Sequence, residues 1–170
     1  MNNLQIASDR FLLKSLSEKN DLSNYLNWLR NPRDIPFILG ARTDYNLIQL
    51  KDYINHNNLS NDSFLLGIFD KFELNHIGNI RYHHLDFKNM SANLGILIGE
   101  KKYRGVGVAS EVIKSSMNWL RSEFDIITFK LGVDSRNIAA RKLYEKLGFQ
   151  YENSESKSKM IMSIKFNTIV

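Results

Sequence analysis

The stretch Tyr103-Arg104-Gly105-Val106-Gly107-Val108-Ala109 joins an apolar run to a long amphipathic one and reads as an anion cradle. Glycines at 105 and 107 let backbone N–H groups turn toward a ligand with no Cβ in the way. A helix starting there adds unsatisfied donors and the positive end of its dipole, so a phosphate suits the loop. Two glycines before a helix also make an ordinary tight connection, and the loop alone leaves both readings open. Downstream, Asn137 and Tyr144 are seven residues apart, two helical turns, which puts them on one face about 10.5 Å apart along the axis. An amide that donates and accepts can hold a ligand, with the phenol farther along the same face. As purely structural residues they would be an N-cap and a core aromatic beside Ala140 and Leu147.

Without G-x-x-x-x-G-K-[ST] a nucleotide triphosphate loop is not supported, and the lack of a third glycine leaves the dinucleotide fingerprint incomplete. The loop is followed by Asn137-Ile138-Ala139-Ala140-Arg141-Lys142-Leu143-Tyr144-Glu145-Lys146-Leu147-Gly148-Phe149. In order, spacing and residue type, residues 92–150 resemble the GNAT superfamily of acyl-CoA-dependent N-acetyltransferases. The tract Tyr103 to Glu111 is most similar to the branch that holds the RimJ and RimL ribosomal-protein acetyltransferases. One departure is Asn93, where many members of that branch carry Glu, since Asn cannot act as a base.

The resemblance implies acetyl-CoA as cosubstrate, its pyrophosphate on the backbone of Arg104, Gly105, Val106, Gly107, Val108 and Ala109. It also implies that the preceding strand, with Ile96 and Ile98, splays from its neighbour and pairs with the pantetheine arm. Asn137 would hold a pantetheine amide and Tyr144 would protonate the departing thiolate. Transfer also requires an amine that has lost its proton. Candidate bases are His83, His84 and Glu100, with Asp86 as a group acting through water; each also reads as an ordinary surface residue. Lys101, Lys102, Arg104, Arg141 and Lys142 fall near the expected phosphates but equally read as a solvated face. The acceptor pocket is expected from the first two helices and their connection, which here hold Trp28, Arg30, Arg33 and Arg42. Guanidinium groups suit phosphates, although exposed arginines need no ligand.

Stepping outward, Arg10 to Leu16 alternate as a first strand. A helix then carries Leu22, Tyr25, Leu26 and Leu29, capped by Ser17 or Asp21 and stopped by Asn31-Pro32. An irregular stretch from Arg33 to Arg42 precedes a second helix, capped by Thr43, with Leu47, Leu50, Tyr53 and Ile54 inward. Asn57 to Asp62 reads as loop. Three antiparallel strands follow at Ser63 to Asp70, His76 to Leu85 and Ser91 to Ile98. The helix after the glycine loop has a stripe of Ala109, Val112, Ile113, Ser116, Leu120 and Phe124. Then come a strand from Ile126 to Val133, a helix from Asn137 to Leu147 stopped at Gly148, and a hairpin of Phe149 to Asn153 with Lys159 to Lys165. This order predicts a mixed α/β (α+β) domain spanning 1–170, a mostly antiparallel sheet flanked by helices, which the resemblance sharpens to the GNAT fold with splayed central strands.

The 170 residues contain 43% hydrophobic side chains, no cysteine, and no apolar run of the roughly 20 residues that span a bilayer. Disulfides and thiolate chemistry are excluded, and the start lacks a signal-peptide pattern, so the cytoplasm is expected. A net charge of +5 favours a polyanionic partner, for which coenzyme A qualifies. The dispersed Lys and Arg, without interleaved aromatics, argue against nucleic acid. Four histidines without ligand spacing give no metal site. The expected function is transfer of an acetyl group to a primary amine by a monomer or homodimer. The acceptor is a small molecule such as a nucleotide-linked amino sugar, with a protein N-terminus as one alternative and a catalytically silent acyl-CoA-binding module as another.

Overall fold

The computed structural model describes residues 4–38, 41–152 and 158–167. Their strands form one eight-stranded sheet in the order β1-β2-β3-β4-β5-β6-β8-β7. A short hairpin of β1 (Gln5–Ala7) and β2 (Phe11–Ser15) leads to α1 (Ser23–Leu29) and α2 (Leu47–Leu59). The meander β3 (Ser63–Asp70), β4 (His76–Asp86) and β5 (Ser91–Ile98) follows, then a single 3₁₀ turn at Lys101–Tyr103 and α3 (Val108–Phe124). The chain closes with β6 (Thr128–Asp134), α4 (Ile138–Lys146), β7 (Gln150–Tyr151) and β8 (Lys159–Lys165).

Period-2 alternation decides which side of the sheet each residue serves. On β4, Ile80 and Tyr82 enter a core shared with Val112, Ile113, Met117 and Leu120 of α3. The alternate residues Asn79, Arg81 and His83 face the other way, toward α1 and α2. There a second core joins Tyr25, Trp28 and Leu29 of α1, Leu50 and Ile54 of α2, and Leu65 and Leu97 of the sheet.

The only parallel pairing among the described strands is that of β5 with β6, and it is brief. Ser91, Ala92 and Asn93 align with Thr128, Phe129 and Lys130, after which the two strands part. β6 remains paired with β8 along its whole length, so Leu94 to Ile98 lose their neighbour on that side and a V-shaped opening splits the sheet. This is the expected splay.

Several local expectations are corrected. The hairpin strand β1 escaped notice because it is only three residues long. α2 starts three residues later than expected. Asn46, not Thr43, is its cap, with Gln49 completing a reciprocal capping box, and Leu47 is exposed. α2 also runs through Asn57 to Leu59, which the polar composition suggested as loop. Neither Ser17 nor Asp21 caps α1: its N-cap is Leu22, Asp21 accepts from the Ser23 N–H at 3.0 Å, and Ser17 makes a turn with Asn20. On α3, Val108 and Met117 are buried whereas Ala109 and Phe124 are half-buried. The last residue of the expected hairpin strand, Asn153, lies outside the described residues.

Candidate functional site

The opening between β5 and β6 continues into a cavity of about 910 Å³. One side is walled by Leu94, Gly95, Ile96 and Leu97, the other by Leu131, Gly132, Val133 and Asp134. α4 supplies Asn137, Ala140 and Tyr144; toward α1 and α2 the walls are Tyr25, Tyr45, Tyr53, Arg42, Arg81 and His83. A smaller hollow of about 170 Å³ brings Ile96, Ile98, Arg104 and Asn137 together against the segment from Asp34 to Ile38.

At the glycine loop, Gly105 and Gly107 adopt φ of 75° and 86°, left-handed backbone that other residues enter with strain. The N–H groups of Gly105, Val106, Gly107, Val108, Ala109 and Ser110 take no acceptor among the described residues, and a Cβ added at Gly105 would meet nothing within 4 Å. A row of free donors at the start of a 17-residue helix, open to its surroundings, fits a phosphate group. The Arg104 side chain is engaged elsewhere, donating from Nε to the Ile98 carbonyl at 2.8 Å, from Nη1 to the Asp34 carbonyl at 3.0 Å and from Nη2 to the Gly99 carbonyl at 2.5 Å. The Arg104 N–H is itself taken by the Lys101 carbonyl at 3.1 Å, so the expected backbone contact at Arg104 is corrected: the free donors begin at Gly105. Lys101 is paired with Asp34, Lys102 with Glu73, and Arg141 donates to Tyr151.

Sequence reading missed what braces this loop. Glu111 in the first turn of α3 accepts from Ser8 Oγ, from the Arg10 N–H and from Arg10 Nε, each at 2.7 Å. Arg10 then extends both Nη atoms to the Val106 carbonyl at 3.3 Å. Burial opposes ionisation of Glu111, but these donors outweigh it and hold the carboxyl below its ordinary range. An acid near a helix N-terminus was visible in the sequence; its partners, about a hundred residues away, were not.

Asn137, which lines the cavity, caps α4 by accepting from the Ala140 N–H at 3.2 Å, and its Nδ2 has no acceptor among the described residues. Tyr144 is 7% exposed and packs on Phe149, with ring centroids 5.8 Å apart. Its hydroxyl has no hydrogen-bond partner among the described residues, and burial pushes the phenol up to about 12.

Of the three candidate bases, His83 alone lines the cavity. Burial first, then the charges of Arg81 and His84, lower its imidazole to about 4, so it is neutral at neutral pH. His84 lies in a bulge at φ 50°, is exposed, and shares a 3.2 Å contact with Asn93. Glu100 accepts from Trp28 Nε1 at 3.0 Å, away from the cavity, and Asp86 caps the turn at Asn89. Trp28 is itself a supporting wall: its ring packs so closely on Gly99 that an added Cβ would come within 1.9 Å. Arg30 donates to the Tyr45 carbonyl at 2.6 Å, and Arg33 is exposed outside the cavity. Arg42 does reach it, paired with Asp44 at 3.1 Å and stacked over Tyr45 at 5.0 Å.

The cavity's character was not read from the sequence. Four cationic residues, Arg42, Arg81, Lys130 and Lys159, and one carboxylate, Asp134, line it. Hydrogen bonds from Arg136 hold the Asp134 carboxyl at about 2. The detectable signal was parity on β4, where polar Asn79, Arg81 and His83 alternate with apolar neighbours although the strand lies inside the sheet. No group of His, Cys, Asp or Glu among the described residues could hold a metal ion, and no described helix is long and apolar enough to cross a membrane.

A family model described as an acetyltransferase (GNAT) domain matches residues 10–150. None of the curated proteins matches the chain. Among solved structures, RimL, the ribosomal L7/L12 alpha-N-protein acetyltransferase in complex with coenzyme A, is 13% identical with a TM-score of 0.85, covering 98% of this chain and all 100% of that one. Spermidine N-acetyltransferase from Vibrio cholerae, in complex with CoA and spermine, is 20% identical with a TM-score of 0.78, covering 92% and 95%. The ribosomal-protein-S5-alanine acetyltransferase from Vibrio fischeri is 15% identical with a TM-score of 0.79, covering 99% and 100%. At these identities the likeness is one of fold.

Proposed function

The chain belongs to the acetyltransferase (GNAT) domain family, whose members move acetyl groups from acetyl-CoA to amines, and we propose that it does so by direct attack of a small primary amine on the thioester. The observation that carries this is the V-shaped opening between β5 and β6, with the free N–H groups of the 105–110 loop at one end and the Tyr144 hydroxyl inside.

Acetyl-CoA supplies the acetyl group as a thioester, and transfer forms an amide N–C bond while the C–S bond breaks. The loop N–H groups would hold the pyrophosphate, and the unpaired edge of β5 from Leu94 to Ile98 would receive the pantetheine amides, with Asn137 Nδ2 as a further donor. Tyr144, protonated at every physiological pH, would give its proton to the departing sulfur. The amine must arrive or become neutral. His83 accepts a proton only briefly at a value near 4, so it suits relay to solvent rather than storage.

A cavity walled by α1, α2 and Phe37 to Ile38 favours a small acceptor over a protein N-terminus. A nucleotide-linked amino sugar is one acceptor compatible with its cationic and tyrosine-rich walls. Incubation with acetyl-CoA and a panel of nucleotide amino sugars, aminoglycosides, polyamines and N-terminal peptides, following free thiol, tests the reading. Amine-dependent thiol release is expected. Tight coenzyme A binding with no release for any amine would instead mark a silent acyl-CoA-binding module.

A further inference from the structure

The acceptor side of the cavity is rich in hydrogen-bond donors that have no acceptor. Asn79 is 4% exposed; its Oδ1 is taken by His76 Nε2 at 3.0 Å, and its Nδ2 is buried without a partner among the described residues. Two residues on, Arg81 makes one hydrogen bond, from Nε to Ser63 Oγ at 3.3 Å. Its two terminal nitrogens meet neither an acceptor nor, within 4 Å, a carboxylate among the described residues. Asp62 feels the field of this guanidinium but bonds to Ser60 instead. The hydroxyls of Tyr25 and Tyr53, which also line this side, have no hydrogen-bond partner among the described residues, and the Arg81 guanidinium lies 5.6 Å from the centre of the Tyr53 ring.

A guanidinium keeps its charge in any protein environment and presents a planar fork that matches a carboxylate or a phosphate. Buried donors in native structures are nearly always satisfied, so the buried Asn79 amide, with no partner among the described residues and on the cavity face it shares with the more accessible Arg81 fork, suits the acceptor atoms of a ligand. Across the sheet, Arg81 is in register with Gly95, the β5 residue that borders the opening, and a Cβ there would meet nothing within 4 Å. Register sets the Arg81 backbone one strand from the opening, while its guanidinium, held at Ser63 and near the Tyr53 ring, lies on the α2 side of the cavity.

We propose that Arg81, with the Asn79 amide beside it, binds an anionic group of the acceptor, a carboxylate or a phosphate, and so selects anionic amines over neutral amines and polyamines. The proposal rests on the acetyl-transfer reading and names the substrate class of that site. A polyamine would bring further positive charge against Arg81 and Arg42.

The test compares matched acceptors on the full chain: an amino sugar and its phosphate, an amino acid and its amide, and spermidine. The kcat/KM of the anionic member should exceed that of its neutral partner at least about tenfold in one pair, and which pair responds separates phosphate from carboxylate. In Arg81→Gln that preference should collapse to within about twofold with KM for acetyl-CoA unchanged, and Arg81→Lys should restore part of it. Titration of inorganic phosphate into the coenzyme A-saturated chain reads the same site without turnover. Phosphate affinity should fall about tenfold in Arg81→Gln and stay unchanged in the exposed-turn variant Lys88→Gln. Preference for neutral amines or spermidine, an Arg81→Gln variant that keeps the anionic preference, or phosphate binding that is absent or indifferent to Arg81 would overturn the proposal. Failure to bind coenzyme A would overturn the acetyl-transfer reading, while Arg81-dependent phosphate binding would stand.

Discussion

Arg10 and Glu111, 101 residues apart in sequence, meet through a 2.7 Å bond from Nε to Oε2, and the same guanidinium holds the Val106 carbonyl of the glycine loop. The N-terminal hairpin thereby fixes a loop to which it has no covalent proximity. A charge-assisted hydrogen bond is worth about 1.5–3 kcal/mol, less where solvent reaches the pair as it does Arg10. Glu111→Gln keeps the side chain's shape but removes the charge. It should weaken coenzyme A binding about three- to tenfold, the equivalent of about 1 kcal/mol, with kcat little changed. Calorimetry checks it: undiminished affinity in a folded variant would make the bracket a brace for the hairpin alone.

The cradle itself is tested at Gly107, whose φ of 86° makes any side chain strained but whose added Cβ would come no closer than 3.5 Å to Arg10 Nη2. Gly107→Ala carries the strain of about 1–2 kcal/mol and no charge. Gly107→Glu carries the same strain and sets a carboxylate beside the bound pyrophosphate. Coenzyme A affinity should fall at least about tenfold further in the Glu variant than in the Ala variant. Equal affinities would show that no anion sits against this loop.

The parts of the site that follow from local rules were legible in the sequence. Glycines at left-handed positions, the Asn137 cap and the seven-residue, two-turn spacing to Tyr144 are each set within a few residues, so pattern and backbone geometry reveal them. The splay followed from resemblance alone, because nothing within β5 states that its pairing with β6 stops after Asn93. Arg30, Arg33 and Arg42 looked equivalent in sequence, yet only Arg42 reaches the cavity. The connection between α1 and α2 has no periodicity from which direction can be read. Arg81 is not legible in the sequence because a charged residue in a central strand gains meaning only from distant neighbours, Ser63 and Gly95 on the adjacent strands and Tyr53 on α2.

His83 predicts a pH dependence of stability. Its unfolded value of 6.5 drops to about 4 in the fold, chiefly through burial and then through Arg81 and His84, with Asp62 opposing and Lys159 adding. A depressed value means that the unfolded chain binds the proton first. The contribution to stability is thus complete above about pH 6.5 and is lost as pH falls through about 4. Denaturant unfolding at pH 7.5 and 4.5 should show a smaller loss in His83→Gln than in the wild type. Some slope should remain, because burial also lowers His76. Identical losses in both proteins would exclude His83 as a titrating contributor.

Tyr144→Phe separates chemistry from packing. The hydroxyl bonds to no described residue, so its removal leaves no orphaned partner, and the ring keeps its contact with Phe149. Thermal stability should be equal or slightly higher, and coenzyme A affinity unchanged. The turnover should nonetheless fall. General acid catalysis contributes about 10²- to 10⁴-fold, and the lower end applies here, because a phenol held near 12 is a weaker acid than a free thiol at about 8.5 and gives up its proton only as charge develops on sulfur. The same shift alters the pH profile. An unperturbed phenol would ionise near 10, but the buried one stays protonated to about 12, so wild-type kcat should show no descending limb attributable to Tyr144 below about pH 11. A fall in kcat with unchanged stability and unchanged coenzyme A affinity assigns the hydroxyl to proton donation. A variant with wild-type kcat on a verified acceptor would hand that role to water and leave Tyr144 as a wall of the cavity.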